Sequence, residues 1–265
     1  MKFFTKDRTP SGKILAYCVL VFHGAIALLA PILHLTPTDE QDATTMLQGI
    51  SFDHWLGTDG LRRDVFSRVL HGGRPSLVIA LVATAIAAMI GVSLGSFAAL
   101  AGGWIDEALS RLIDFLLAVP TLILLLLIAS FFGQDPVILS LTLGLMYAPP
   151  IARVSRASTQ ILLARDFVRV ARLQGGNGRT ILVNEILPNI WQVVFNEIAM
   201  QFTWIILAFS SLSFLGLGVT PPTPEWGLMI AEARSYMTIN PVSVIAPICM
   251  LASLVLAVQA LVDHE

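Results

Sequence analysis

Of 265 residues, 55% are hydrophobic and 13% charged, with a formal net charge of −2. A soluble domain carries about 25% charged residues, so the composition excludes a disordered chain, a collagen-like repeat and an ordinary water-soluble enzyme. The near-neutral balance leaves no basic field for nucleic acid, and so much apolar surface cannot be hidden in so small a globule. The chain reads as one integral membrane unit. Cys18 and Cys249 lie far apart in apolar stretches, and the histidines have no ligand spacing, which argues against a disulfide framework or a metal site.

Crossing a hydrocarbon core takes about 20 apolar residues in a helix. The stretches that qualify, in chain order, are 14–33, 76–101, 113–132, 137–154, 190–214 and 242–262. This predicts an all-α membrane protein with six spans. Lys2, Lys6, Arg8 and Lys13 precede the first stretch. It is too long for a signal-peptide core and no small-residue cleavage site closes it, so it reads as a retained helix. Segment 34–74 starts polar and turns helical, with Val65, Phe66, Val69 and Leu70 on one face. Pro149-Pro150 is expected to disturb the last turn of the fourth span. Segment 155–189 reads as two short helices, 167–173 and one from about Thr180 to Leu187-Pro188. They are separated by Gly175-Gly176-Asn177-Gly178, a helix stop with freedom at positive φ. Segment 216–241 holds Pro221-Pro222, Pro224 and Trp226 before a short amphipathic stretch. The division is into 1–74 (tail, first span and outer loop) and 75–262, the core with its inner segment 155–189.

Basic residues orient the chain. With the N-terminus inside, the inner segments hold 11 of the 16 Lys and Arg, among them Arg111, Arg153, Arg156, Arg165, Arg169, Arg172 and Arg179. Both termini are therefore expected in the cytoplasm. Arg111 and Asp114, three residues apart, are close enough to pair. Pro120 should kink the third span and leave a carbonyl without its usual bond. Glu197 falls about two turns into the fifth span, where an acid is costly and suggests function. Solvation near the inner surface, or pairing with Arg111 or a partner chain, stays equally open. Glycine-rich 175–180 lacks the lysine and preceding strand of a phosphate loop, so the chain is not expected to bind ATP itself.

Three stretches carry a resemblance. Ala171, Gly175 and Leu187-Pro188 match in spacing the cytoplasmic Glu-Ala-Ala, x3, Gly, x9, Ile, x, Leu-Pro motif of bacterial ABC importer permeases. The run from His54-Trp55-Leu56-Gly57-Thr58-Asp59 through Arg63-Asp64-Val65-Phe66-Ser67-Arg68 resembles the HxLGTDxxGRDxxSR stretch of the dipeptide/oligopeptide/nickel branch. Ser213-Phe214-Leu215-Gly216-Leu217-Gly218-Val219 with Pro221-Pro222-Thr223-Pro224-Glu225-Trp226-Gly227 resembles that branch's SFLGLGVxPPxPxWG stretch. The resemblance covers nearly the whole chain, in order.

It implies an inner-membrane permease subunit forming half of a pore with a second, homologous permease. It also implies two cytoplasmic ATPases that carry the ATP and Mg, and a periplasmic solute-binding protein. Arg169, Ala171, Arg172, Gly175, Gly178, Leu187 and Pro188 are then the ATPase-coupling residues. For Pro222 and Trp226 the readings are a rigid outer turn with an interfacial anchor, or binding-protein docking and gating. Asp59, Arg63 and Asp64 belong to the same outer group for gating or binding-protein docking; they are expected chiefly to make local pairs and caps that shape their loop, with direct substrate contact the lesser alternative. The family carries Arg-x-x-Asp at Arg111 and Asp114, which looks structural. Peptides are the expected cargo; nickel or metal chelates and opines share the motifs, and an ion-gradient-driven transporter is a remoter alternative. Arg169 stands where the motif has Glu, Glu185 where it has Ile, and the family's Gly-Asp-x-Leu-Arg-Asp type tail is replaced by Leu261-Val262-Asp263-His264-Glu265, which implies a shortened inner end of the last span.

Overall fold

The computed structural model describes residues 10–30, 32, 37–39 and 46–262, and every regular element among them is helical. In chain order these are α1 (Pro10–Leu29), α2 (Val65–Ala101), α3 (Gly103–Ala118), α4 (Thr121–Phe132), α5 (Pro136–Leu163), α6 (Asp166–Leu173), α7 (Gly178–Thr180), α8 (Leu187–Phe214), α9 (Trp226–Ala233) and α10 (Val242–Val262). A π-helical stretch, Ile181–Ile186, joins α7 to α8. Among the described residues five helices are long and apolar enough to cross a membrane, and the α3–α4 pair makes a sixth if counted as one broken span. In lipid every backbone group must be paired internally, and helices achieve this without outside partners.

Three proline sites depart from expectation. At Pro120 the break is far sharper than a kink: α3 and α4 meet at 82°. Val119 is extended, as proline imposes on the residue before it, and Pro120 sits at the N-cap of α4. At Pro149-Pro150, by contrast, α5 is not disturbed and runs on to Leu163. Ala148, Pro149, Ile151 and Ala152 are buried there, so packing holds the helix through the missing donors. At Leu187-Pro188 no new helix begins, because α7, the π stretch and α8 form one continuous helix, Gly178–Phe214. Pro188 cannot donate to the carbonyl four residues back. The one-residue widening of the π turn accommodates this, with the Leu187 N–H bonded to the Leu182 carbonyl.

The chain divides into two compact units, the boundary falling after Val78 within α2 and before Ile206 within α8. The first unit combines α1, the start of α2, the end of α8, α9 and α10. Here α10 packs on both α1 and α9. The second combines the rest of α2 and α8 with α3 to α6. In it α5 packs against α3, α4 and α6. The α2–α5 contact is very close. A Cβ on Gly91 would lie 2.7 Å from the Ala148 carbonyl oxygen, one on Gly144 would lie 2.6 Å from Ile86, and one on Gly95 would overlap the Ala152 carbonyl oxygen. Small residues four apart let membrane helices approach backbone to backbone.

Candidate functional site

Residues 46–64, which precede α2, are held by buried charge. Asp59 Oδ1 accepts from the Leu61 and Arg63 N–H groups, and its Oδ2 from Arg63 Nε at 2.7 Å. Asp64 caps α2 by accepting from the Ser67 N–H, and its other oxygen lies 2.9 Å from His54 Nδ1. These are the local pairs and caps anticipated for Asp59, Arg63 and Asp64. The sequence reading missed Glu232 on α9. Its Oε2 accepts from Arg63 Nη2 at 2.7 Å and Arg68 Nη2 at 3.1 Å. Arg68 Nη1 also reaches the carbonyls of Thr38 and Pro222. Arg63 and Arg68 are 3% and 1% exposed, so these side chains brace the loop from within.

Segment 216–241 joins an exposed turn at Pro221-Pro222-Thr223 to a buried stretch that opens α9. Trp226 was expected as an interfacial anchor or docking residue, but it is only 1% exposed. Its indole N–H donates to the Val69 carbonyl at 2.9 Å, and its ring lies over Gly72 and Gly73, where a Cβ on Gly73 would meet it at 2.6 Å. His23 of α1 meets the ring edge-on at 5.9 Å. Burial of its apolar body outweighs any interfacial preference because two glycines on α2 leave room for it. Glu225 caps α9 through the Leu228 N–H and accepts from the Ser76 hydroxyl at 2.8 Å. Burial raises its carboxyl above the usual carboxylate range, against the pull of the Gly227 and Leu228 amides and of Ser76. Pro222 is exposed, follows a cis Pro221–Pro222 bond, and offers its carbonyl to Arg68.

The α5–α8 connection forms a small rigid hook. The α6 helix ends on Gly175 at φ +88°, with the Gly176 N–H bonded to the Ala171 carbonyl and the Gly175 N–H to that of Arg172. This paired closure needs a left-handed residue, which glycine supplies without steric cost. Asn177 then caps the next helix by accepting from the Thr180 N–H at 2.8 Å. Asn177→Ala is expected to cost about 1 kcal/mol of local stability, read as faster hydrogen exchange at the Thr180 amide. Val168 is fully buried with Ile181, Ile186, Ile190 and Val194, while Ala171 and Leu187 pack against that cluster. Phe167, Val170 and Leu173, three residues apart, stay exposed. So do Arg169, Arg172, Gly175, Gly178 and Pro188. Arg169 lies 3.8 Å from Asp166 with both side chains in solvent, a pair of little energetic weight.

The expected Arg111–Asp114 pair does not form. Arg111 bonds Glu107 at 2.7 Å, and Asp114 bonds Arg153 of α5 at 2.7 Å. An acid four residues N-terminal to a base is the favoured helical arrangement, and Glu107 holds that position. The stronger α3–α5 link is one the sequence reading missed: Arg156 grips Asp106 through Nε and Nη2 at 2.6 and 2.7 Å, with Gln160 adding a third bond. Glu197 is half-buried and accepts from Gln201 Nε2 at 2.6 Å, not from Arg111.

Long apolar helices, one pair broken at a proline, with a braced loop before α2 and a short helix with exposed apolar residues between two long ones, define a multi-pass membrane protein. Its residues 91–264 match the family described as binding-protein-dependent transport system inner membrane component, and the chain belongs to that family. Among similar proteins, the glutathione transport system permease protein GsiD of Pectobacterium atrosepticum is 36% identical over 87% of this chain and 77% of its own length. The dipeptide transport system permease protein DppC of Alkalihalophilus pseudofirmus is 33% identical over 84% of this chain and 73% of its own. GsiD of Escherichia coli is 37% identical over the same shares.

Proposed function

We infer that this chain is one half of the translocation path of an ATP-driven importer of short peptides. It would sit in the bacterial inner membrane with both termini cytoplasmic. Its partners would be a second, homologous permease, two ATPases that bind the ATP and Mg, and a solute-binding protein outside. The peptide cargo is supported by relatives named for a dipeptide and for glutathione, both short peptides. The orientation is supported by the basic residues gathered in segment 155–189. Of the basic residues that open the chain, Lys13 lies within α1. Lys2, Lys6 and Arg8 lie outside the described residues, as do Asp263, His264 and Glu265 at the other end.

The observation that carries this reading is the α6 hook. Phe167, Val170 and Leu173 present an apolar edge to a partner, and Val168 ties the same helix into the core beneath α8. A push on α6 is therefore passed as rigid-body movement into the continuous helix Gly178–Phe214. Arg169, in place of the family's Glu, calls for an acidic residue on the ATPase surface that receives it.

Gly175→Val tests the coupling. The space around Gly175 is open, but its φ of +88° strains any other residue. A left-handed conformation costs an L-residue about 1–2 kcal/mol, enough to open the turn that closes α6. Peptide uptake should fall about tenfold with the membrane level unchanged and ATPases still co-purifying. Uptake at the normal rate would remove α6 from the coupling path. Uptake that survives ATP depletion but stops with an uncoupler would replace the whole reading with secondary transport.

A further inference from the structure

Glu197 is an acid that neither the hook nor the braced loop uses. It lies ten residues into α8, about 15 Å along the axis from Leu187 at 1.5 Å per residue. At 100° per residue, α8 has a packed side and an exposed side here. Ile190, Val194 and Ile198 face the core cluster. Trp191 and Phe195, exposed with rings 5.8 Å apart, form a purely aromatic side suited to lipid. Glu197 lies more than 100° from them, at the edge between Ile190 on the packed side, about 20° away, and Val193, Met200 and Trp204; Val193 and Trp204 are both 53% exposed. An acid within the apolar stretch 190–214 is costly against lipid and turns toward protein or a water-filled path.

The carboxylate is set up on one side only. Gln201, itself 7% exposed, donates to Oε1. Among the described residues no cation pairs with Glu197: Arg111 is engaged by Glu107, Arg153 by Asp114 and Arg156 by Asp106. What the site lacks is a positive charge. We propose that Glu197 is a cation-binding step on the translocation path that takes the side-chain ammonium of a lysine in a passing peptide. This rests on the peptide-importer reading above.

The test is uptake of Lys-Ala, Ala-Ala and Glu-Ala by cells carrying the whole importer, with wild-type chain, Glu197→Gln, Glu197→Asp or Met200→Lys. The binding protein is identical throughout, so its own preference cancels when ratios are compared between variants. The Lys-Ala to Glu-Ala ratio should fall about tenfold in Glu197→Gln and hold in Glu197→Asp. It should also fall in Met200→Lys, where the acid stays but a cation stands one turn away. The loss should be confined to Lys-Ala, and a parallel fall in all three uptakes, which leaves the ratio unchanged, would be a general transport defect and not this site. An unchanged ratio in both Glu197→Gln and Met200→Lys overturns the proposal. So does an unchanged ratio with loss of the second permease from the purified complex, which would make Glu197 an interface residue. Failure of the wild-type chain to import any of the three peptides would instead sink the peptide reading and, with it, this step.

Discussion

Alanine at Glu232 is expected to lower the stability of the folded chain by about 3–5 kcal/mol, the usual consequence of leaving a buried charge without its partner. Glu232 Oε2 serves two guanidiniums, Arg63 at 2.7 Å and Arg68 at 3.1 Å. Without it both arginines would share Asp59, whose Oδ2 lies 2.7 Å from Arg63 Nε and 3.6 Å from Arg68 Nε. The space beside the cluster, lined by Asp59, Arg68, Glu232 and Tyr236, is about 10 Å³. That admits about one water molecule, too little to rehydrate a cation. Thermal unfolding in detergent reads the loss. Adding Arg63→Met to Glu232→Ala should recover part of it, because an apolar group in a buried ion-pair site is often tolerated. A loss under about 1 kcal/mol, the range of solvent-screened pairs, would count against the cluster as the brace of residues 46–64.

Leucine at Gly95 should prevent the second unit from packing. Overfilling a packed interior costs about 1–3 kcal/mol when side chains can move aside. Here the obstacle is the Ala152 carbonyl on the α5 backbone, which cannot rotate away, and Gly91 and Gly144 make further close contacts beside it. The helices would have to separate, and the folded protein recovered from membranes should fall sharply, with Gly95→Ala intermediate. Gly24→Leu on α1 is the matched control. Nothing lies within 4 Å of a Cβ there, and the change should stay within about 0.5 kcal/mol. Equal yields from Gly95→Leu and Gly24→Leu would mean that α2 and α5 do not depend on close approach.

Much of the architecture was legible because the membrane restricts the options. Long apolar runs must be helices, and all the expected spans have helical counterparts. The closing turn of α6 was equally legible, since Gly175-Gly176-Asn177 names its own conformation through local backbone chemistry. Proline was the least reliable guide. Pro120 broke a span by 82°, whereas Pro149-Pro150 left α5 intact. The same chemical deficit has opposite outcomes according to whether neighbours are packed around it. Gly91 and Gly95, four apart in an apolar run, were a signal for the α2–α5 seam that spacing alone could have supplied.

The sequence by itself determined the helical membrane class, the family and the short exposed helix of segment 155–189, because hydropathy and local turn chemistry act over a few residues. Tertiary structure alone decided which charges meet and which large side chains are hidden. Arg63 and Glu232 are 169 residues apart, and Trp226 reaches the Val69 carbonyl across 157. A list of acids, bases and aromatics does not say which will be adjacent once α9 folds against the start of α2. That adjacency turned an expected interfacial tryptophan into core, and an unremarked glutamate into the partner of two buried arginines.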